Sequence, residues 1–393
     1  MLYFRWNRLL LLGVMVLCGL VALVPVATAQ LAVSANDNKL ARVDGAVKVV
    51  PNPPADTVAI IDLKQFPPKL VAEVEVPTSV VGPPLSVAIT PDESLALVTA
   101  AMQIDPNDPT KQIPNNVLSV IDLQASPPKV IAQLETGKGP AGLSITRQGD
   151  LALVANRSEG TVSIFGIKGK EVTNLGTVTI GNEKTGVSHV TISPDGKTAL
   201  VTRDEDNLIS VLSIDGTEVE YTKRDMAAGL RPYGAAISAT GSMAVVANIG
   251  RGFGDADTIS VIDMTANPVR VVETITVGQT PEGIMLSPDG KLCAVVVMNG
   301  SNKPEDSPFY ADYGKLLLYR VEGLKLTKVS EARIGHWSQG VAFSSDSQYI
   351  LAQNMDEKNL MVFKIINEKL EDTGQRLQVK GGPAAIRTAE KPL

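Results

Sequence analysis

Thr280-Pro281-Glu282-Gly283-Ile284-Met285-Leu286-Ser287-Pro288-Asp289-Gly290 is a tight turn, a short apolar run and a second tight turn. An Asp-Gly pair supplies the positive backbone angles of a hairpin, so the apolar runs on its two sides must pair antiparallel. The same chemistry recurs at Ser193-Pro194-Asp195-Gly196, which is followed by Ala199-Leu200-Val201. Further copies begin near Gly82, Gly139, Gly186, Leu230, Gln279 and His336, giving six continuous units spaced by about 45 residues, a period that marks repeat architectures. Each unit holds four short runs rich in Val, Ile and Thr, broken by Gly, Pro, Asp and Asn, the pattern of an antiparallel meander. The mature chain shows no sustained helical periodicity.

A single four-stranded sheet cannot bury both of its faces, so such units stack radially around a channel. The seventh unit is split between the chain ends. Gly382-Pro383-Ala384-Ala385-Ile386-Arg387 matches a turn and first strand, after which the chain stops. Leu31 to Asn36, Thr57 to Asp62 and Leu70 to Val74 match second, third and fourth strands. One strand joined to three closes the ring and protects its edges. The expectation is an all-β, seven-bladed β-propeller of four-stranded antiparallel blades, a single domain over residues 30–393.

Arg5 and Arg8, the apolar run Leu9 to Val26 and the small-residue ending Ala27-Thr28-Ala29 read as a secretory signal peptide over residues 1–29. Its cleavage implies a periplasmic or extracellular protein with no membrane contact, and takes two of the 36 basic residues, leaving 34 against 42 acidic ones, a net of −8. Such a charge disfavours nucleic acid and anionic membranes. Only Cys293 then remains, inside the apolar run Leu292 to Val297, so it reads as a buried thiol and the fold must stand without an internal disulfide.

The units resemble the bacterial and archaeal YVTN β-propeller repeat. The resemblance is carried by Ser-Pro-Asp-Gly at 193–196 and 287–290, Val-Ala-Asn at 154–156 and 246–248, and Val-Ile-Asp at 120–122 and 261–263. It spans nearly all of the mature chain and lacks Trp-Asp and Gly-Gly blade signatures, which separates it from the WD40 and kelch classes. It implies the fold and leaves function open, since relatives include cell-surface proteins, lactonase-like hydrolases and heavy chains of quinone-cofactor dehydrogenases.

In an up-and-down blade the turn entering the first strand and the loop after the second share one face. The second-to-third connections are long in four blades, over Asp37 to Asp56, Ala101 to Asn116, Ile249 to Asp257 and Met298 to Gly314. Insertions gathered on one rim build a binding surface. On that face the middle position of the Pro-x-Gly turn gives a ring of Leu85, Ala141, Ser188, Tyr233, Glu282, Gln339 and Ala384. His189 follows the ring where most blades have glycine. Arg231, His336 and Trp337 precede it, and Asn36, Asn156, Asn248 and Asn354 end second strands where another blade has Arg203. Polar candidates thus fall on four consecutive blades.

Two functions follow from this face. The first is an interaction module that binds a small molecule or protein partner as a monomer, through Ser188, Trp337, Gln339, Asn156, Asn248, Asn354 and the aromatic loop around Tyr310 and Tyr313. The second is a lactonase-like hydrolase or other propeller enzyme, with His189 or Glu282 as general base, Arg203 and Arg231 stabilising an oxyanion, and Tyr233 beside them. The alternative for these groups is a Glu282–Arg231 ion pair with His189 hydrogen-bonded in the rim. No Gly-x-Ser-x-Gly elbow is present, which disfavours a serine hydrolase. Two mature histidines several blades apart do not make a zinc site, and Asp204-Glu205-Asp206 and Asp255-Ala256-Asp257 read as solvated acidic loops rather than calcium ligands. No cofactor or metal is expected.

Overall fold

The computed structural model describes residues 30–391. The leader expected over residues 1–29 lies outside them. Seven antiparallel four-stranded sheets form the blades of a propeller, and one two-stranded hairpin is added to them. Blade 1 is the composite one: Gly382–Thr388 pairs with Leu31–Asp37, which pairs with Thr57–Asp62 and then Lys69–Glu75. The seam is also pinned by side chains, with Gln353 Nε2 of blade 7 donating to Ser34 Oγ at 2.8 Å and to the Ala385 carbonyl at 2.9 Å. Blades 2 to 7 follow in chain order, with inner strands Val87–Ile89, Pro140–Ile145, Val187–Ile192, Pro232–Ile237, Pro281–Leu286 and Ser338–Phe343.

The core lies between blades. One apolar cluster joins Leu151, Leu153 and Val162 of blade 3 to Val187, Val190 and Val201 of blade 4, and comparable clusters fill the other interfaces. Each fully buried Val, Leu or Ile contributes about 1.5–3 kcal/mol relative to an exposed one. Outermost strands such as Lys129–Glu135 alternate exposed and half-buried residues, as an edge facing water requires. Cys293 is buried in the blade 5–6 cluster with a free thiol that burial pushes up in pKa.

The repeat signatures turn out to be scaffold. In the turn at 287–290, Ser287 Oγ donates to Asp289 Oδ1 at 2.6 Å and accepts from the Leu292 amide at 2.9 Å, while Gly290 takes a φ of +71°. The Asp of Val-Ile-Asp accepts the amides of the next turn, as Asp263 does from Thr265 at 2.9 Å and Ala266 at 3.1 Å. The Asn of Val-Ala-Asn ties second strand to third: Asn156 Nδ2 reaches Thr161 Oγ1 and Ser163 Oγ, both at 2.9 Å, and Asn248 Nδ2 reaches Thr258 and Ser260, both at 3.0 Å.

Two of the expected loops are regular structure. Residues 38–55 carry the hairpin Leu40–Val43 and Ala46–Val49, and the 101–116 connection is a prolongation of the blade 2 strands Leu95–Asp105 and Asp108–Asp122. The insertions touch one another. Arg42 of the hairpin bonds Asp356 at 2.5 Å and the Lys303 carbonyl at 3.3 Å, and a Cβ on Gly45 would lie 2.2 Å from Pro304 Cα. The Phe309 ring of the 298–314 loop sits on Gly254 of the 249–257 loop. Ala46–Val49 of the hairpin also lies beside Asp108–Asp122 of blade 2, so the long connections of blades 1, 2, 5 and 6 make one cap, while blades 3 and 4 keep short loops beside it.

Candidate functional site at the loop-rich mouth

A register shift puts one extra residue at the Pro-x-Gly position of the inner strands in blades 1 and 3 to 7. Such a bulge bends the strand and re-aims a side chain, which is how a repeat made for packing presents a ring at the channel mouth. In five of these six blades the residue before the bulge has positive φ. It is Gly139 or Gly186 in two blades but Arg231, Thr280 and Trp337 in three others, at +58°, +55° and +47°. A non-glycine residue in that region costs about 1–2 kcal/mol, so Arg231 is held in place by its contacts.

Those contacts centre on Asp204, fully buried at the end of the blade 4 second strand. Arg157 of blade 3 grips it with two parallel bonds, Nη1 to Oδ1 at 2.6 Å and Nη2 to Oδ2 at 2.8 Å. Arg231 of blade 5 bonds Oδ2 from the other side through Nε, at 3.1 Å, and Nη2, and its Nη2 also reaches Glu205 Oε1 at 3.1 Å. Ser188 Oγ lies 2.9 Å from Asp204 Oδ1 and accepts from Arg157 Nη1. The Arg157 guanidinium stands 5.8 Å from the Tyr233 ring centroid. Burial works against the Arg157 charge but is outweighed by Tyr233, Asp204 and Glu205, so its pKa is raised.

Glu282 completes the group from blade 6. It is buried, and the ion pairs of both arginines go to Asp204 and Glu205 rather than to it. Burial pushes its carboxyl up to about 8, against the pull of Arg231 and Arg157 and with Asp204 adding to the rise. Burial likewise raises the Tyr233 phenol, with Glu282 adding to it. Ser188, Tyr233, Glu282 and Arg231, all expected at this mouth, are thus brought together around Asp204.

Other expected candidates are placed elsewhere. Arg203 is not in the group: it pairs with Asp206 and with Asp225 at 3.2 Å and bonds Ser210, between the strands of its own blade. His189 lies fully buried below the ring, packed on Gly142; burial, and then the Arg387 charge, hold its pKa well below the usual histidine value, outweighing the opposite pull of the backbone at Ala235. It is a neutral packing group rather than a base at the mouth. The amides of Asn156, Asn248 and Asn354 are spent inside their blades, the last on Asn359 at 3.0 Å, so they do not offer donors to a ligand. Trp337 is buried with Val80, Met298, Met355 and Ala384 in an apolar plug under the cap. Gln339 is buried on the ring, and His336 bonds Glu357 at 2.6 Å. Tyr310 and Tyr313 are half-buried, and the Arg333 guanidinium covers the Tyr313 ring at 4.1 Å.

Asp204 and Arg157 are what sequence reasoning missed. Asp204 read as one of three solvated acids, although it is the one wholly buried. Arg157 follows the Asn that ends a second strand, the same offset at which Asp204 follows Arg203, and that shared offset was the available signal. Among the described residues no group of three or more His, Cys, Asp or Glu is arranged to hold a metal.

No protein-family model matches the chain, and no curated protein matches it in sequence. Solved structures do match. A proposed 6-phosphogluconolactonase of Bacteroides fragilis aligns with a TM-score of 0.69 at 15% identity, over 92% of this chain and 98% of that one. A functionally unknown protein from Desulfotomaculum acetoxidans gives 0.67 at 16%, over 92% and 99%. The periplasmic gluconolactonase of Pseudomonas aeruginosa gives 0.63 at 17%, over 92% and 99%. At these identities the likeness is one of fold, and two of the three proteins that share it are described as lactonases.

Proposed function

We propose that the loop-rich mouth is the site of a lactonase-like hydrolase acting on small lactones, in a protein exported from the cytoplasm as its leader-like N-terminus suggests. The observation that carries the reading is Glu282, a buried carboxyl that titrates near 8 within the field of two guanidiniums. A group poised near the working pH exchanges protons efficiently. Ionised Glu282 takes a proton from water as the water oxygen bonds to the lactone carbonyl carbon. The carbonyl oxygen gains negative charge, which the guanidinium of Arg231 stabilises: that side chain uses Nε and Nη2 on Asp204 and Glu205 and leaves Nη1 for a ligand. Collapse of the intermediate breaks the ring carbon–oxygen bond, and the leaving oxygen recovers the proton from Glu282. The product is a hydroxy acid. Ser188 is not the nucleophile, because its hydroxyl is tied to Asp204 and Arg157. The test is a panel of aldonolactones and simple γ- and δ-lactones followed by acid release, with wild type and Glu282→Gln; a rate unaltered by the substitution overturns the proposal.

The second reading is recognition without turnover. It is favoured by the interlocked cap, on which Phe253 is 71% exposed and Phe309 45% exposed. A protein that binds lactones or hydroxy acids and hydrolyses none of them would select it.

A further inference from the structure

The other end of the channel carries a cavity of about 250 Å³, on the face of the Ser-Pro-Asp-Gly turns and opposite the cap. Its walls are the last residues of the inner strands, among them Ala236, Met285, Leu286, Ala342 and Phe343, and the segment Thr388 to Lys391 runs along it. This apolar chamber also holds two arginines. Arg387 is only 5% exposed; its Nη2 bonds Glu390, but its Nη1 is buried with no partner. Arg147 donates from Nη1 to the Lys391 carbonyl at 3.2 Å, and its Nε is buried with no partner.

Two unsatisfied charged donors in an apolar chamber are costly to maintain, since each forfeits water without regaining a bond. A blade needs no charge at this position: where blade 1 has Arg387, blades 5 and 7 have Ala236 and Ala342. We infer that the channel's second mouth is a binding site for a small organic carboxylate, its anionic end held by the free N–H groups of Arg387 and Arg147 and its apolar body lying on Met285, Ala236 and Phe343. The volume falls below the roughly 300–1,000 Å³ of drug-sized sites, which limits the ligand to a compact molecule. Glu390 and Glu93 also line the chamber, so a monoanion suits it better than a dianionic phosphate.

The experiment is titration of the full chain with benzoate and hexanoate, against benzamide, hexanamide and inorganic phosphate, followed by calorimetry. Saturable carboxylate binding is expected with Kd on the order of 0.1–1 mM, with the neutral amides and phosphate at least about tenfold weaker. Arg387→Gln should weaken the carboxylate about 10- to 100-fold. Should that variant not fold, Ala236→Leu, which fills the chamber and keeps every charge, should abolish binding on its own. Absence of saturable binding, amides binding as well as acids, or binding that survives Ala236→Leu each overturns the inference.

Discussion

Arg157 and Asp204 are joined across the blade 3–blade 4 interface by two parallel N–H···O bonds of 2.6 and 2.8 Å, with the carboxylate wholly buried. The pair fixes the position of Arg231, which approaches the same carboxylate from blade 5. Three blades thereby converge on one acid, and the residue that gains from it is the unpaired Glu282 beside them.

Removing the acid should therefore do more than loosen one contact. Asp204→Ala leaves two largely buried guanidiniums short of their partner, and breaking a buried pair costs about 3–5 kcal/mol. Urea unfolding monitored by tryptophan fluorescence should show that loss. A cost under about 1 kcal/mol would mean that the cluster is solvated like an ordinary surface pair.

Glu282 gives two opposite pH signatures. As the base of hydrolysis it must be ionised, so the rate should climb as pH rises through about 8, and Glu282→Gln should lower it by about 100-fold or more. Stability runs the other way. The folded chain holds this proton up to about 8 whereas the unfolded chain releases it near the ordinary 4.5, so stability present below 4.5 is lost as pH rises through 8. Glu282→Gln should accordingly raise the melting temperature relative to wild type at pH 9 and not at pH 4. Equal shifts at both would contradict the burial argument.

His189 predicts an acid limb. Its folded pKa is depressed, so its neutral form is favoured by folding above about 6.5 and that stability is lost as pH falls below it. His189→Gln should flatten the decline in stability between pH 6.5 and 5, measured by denaturant midpoints. It should leave lactone hydrolysis within a few-fold of wild type once the protein is folded, because the imidazole is sealed below the mouth.

The glycine that receives His189 is a sharper probe of packing. A Cβ at Gly142 would lie 2.3 Å from His189 Nδ1 and 3.0 Å from its Cα, whereas at Gly234, the same position in blade 5, nothing comes closer than 3.3 Å. Gly142→Ala should cost about 1–3 kcal/mol and Gly234→Ala distinctly less. The comparison of unfolding midpoints checks it.

Closure of the ring can be tested by deleting residues 382–393. That removes the inner strand of blade 1, exposes the pairing edge of Leu31–Asp37 and takes away the acceptor of Gln353. The truncated chain should aggregate on refolding, as light scattering would report, whereas a soluble and cooperatively unfolding product would show that the strand is dispensable.

The propeller was legible because its causes are local. Ser287, Asp289 and Gly290 make their turn with one another, Asn156 ties neighbouring strands, and a count of such units with matching chain ends settles the number of blades. The mouth ring was legible for the same reason, since a bulge at Pro-x-Gly is set by residues next to each other in the chain. What the sequence could not decide was which charged side chains share a field. Arg157, Asp204, Arg231 and Glu282 come from four consecutive blades and meet only when those blades stack, while Arg203, beside Asp204 in the chain, points into its own blade. Ion pairing and desolvation depend on distance through space and on exclusion of water, and a repeat spacing encodes neither. The same holds for Arg387 at the far mouth, whose buried and unpartnered Nη1 owes its setting to the walls that five other blades build around it.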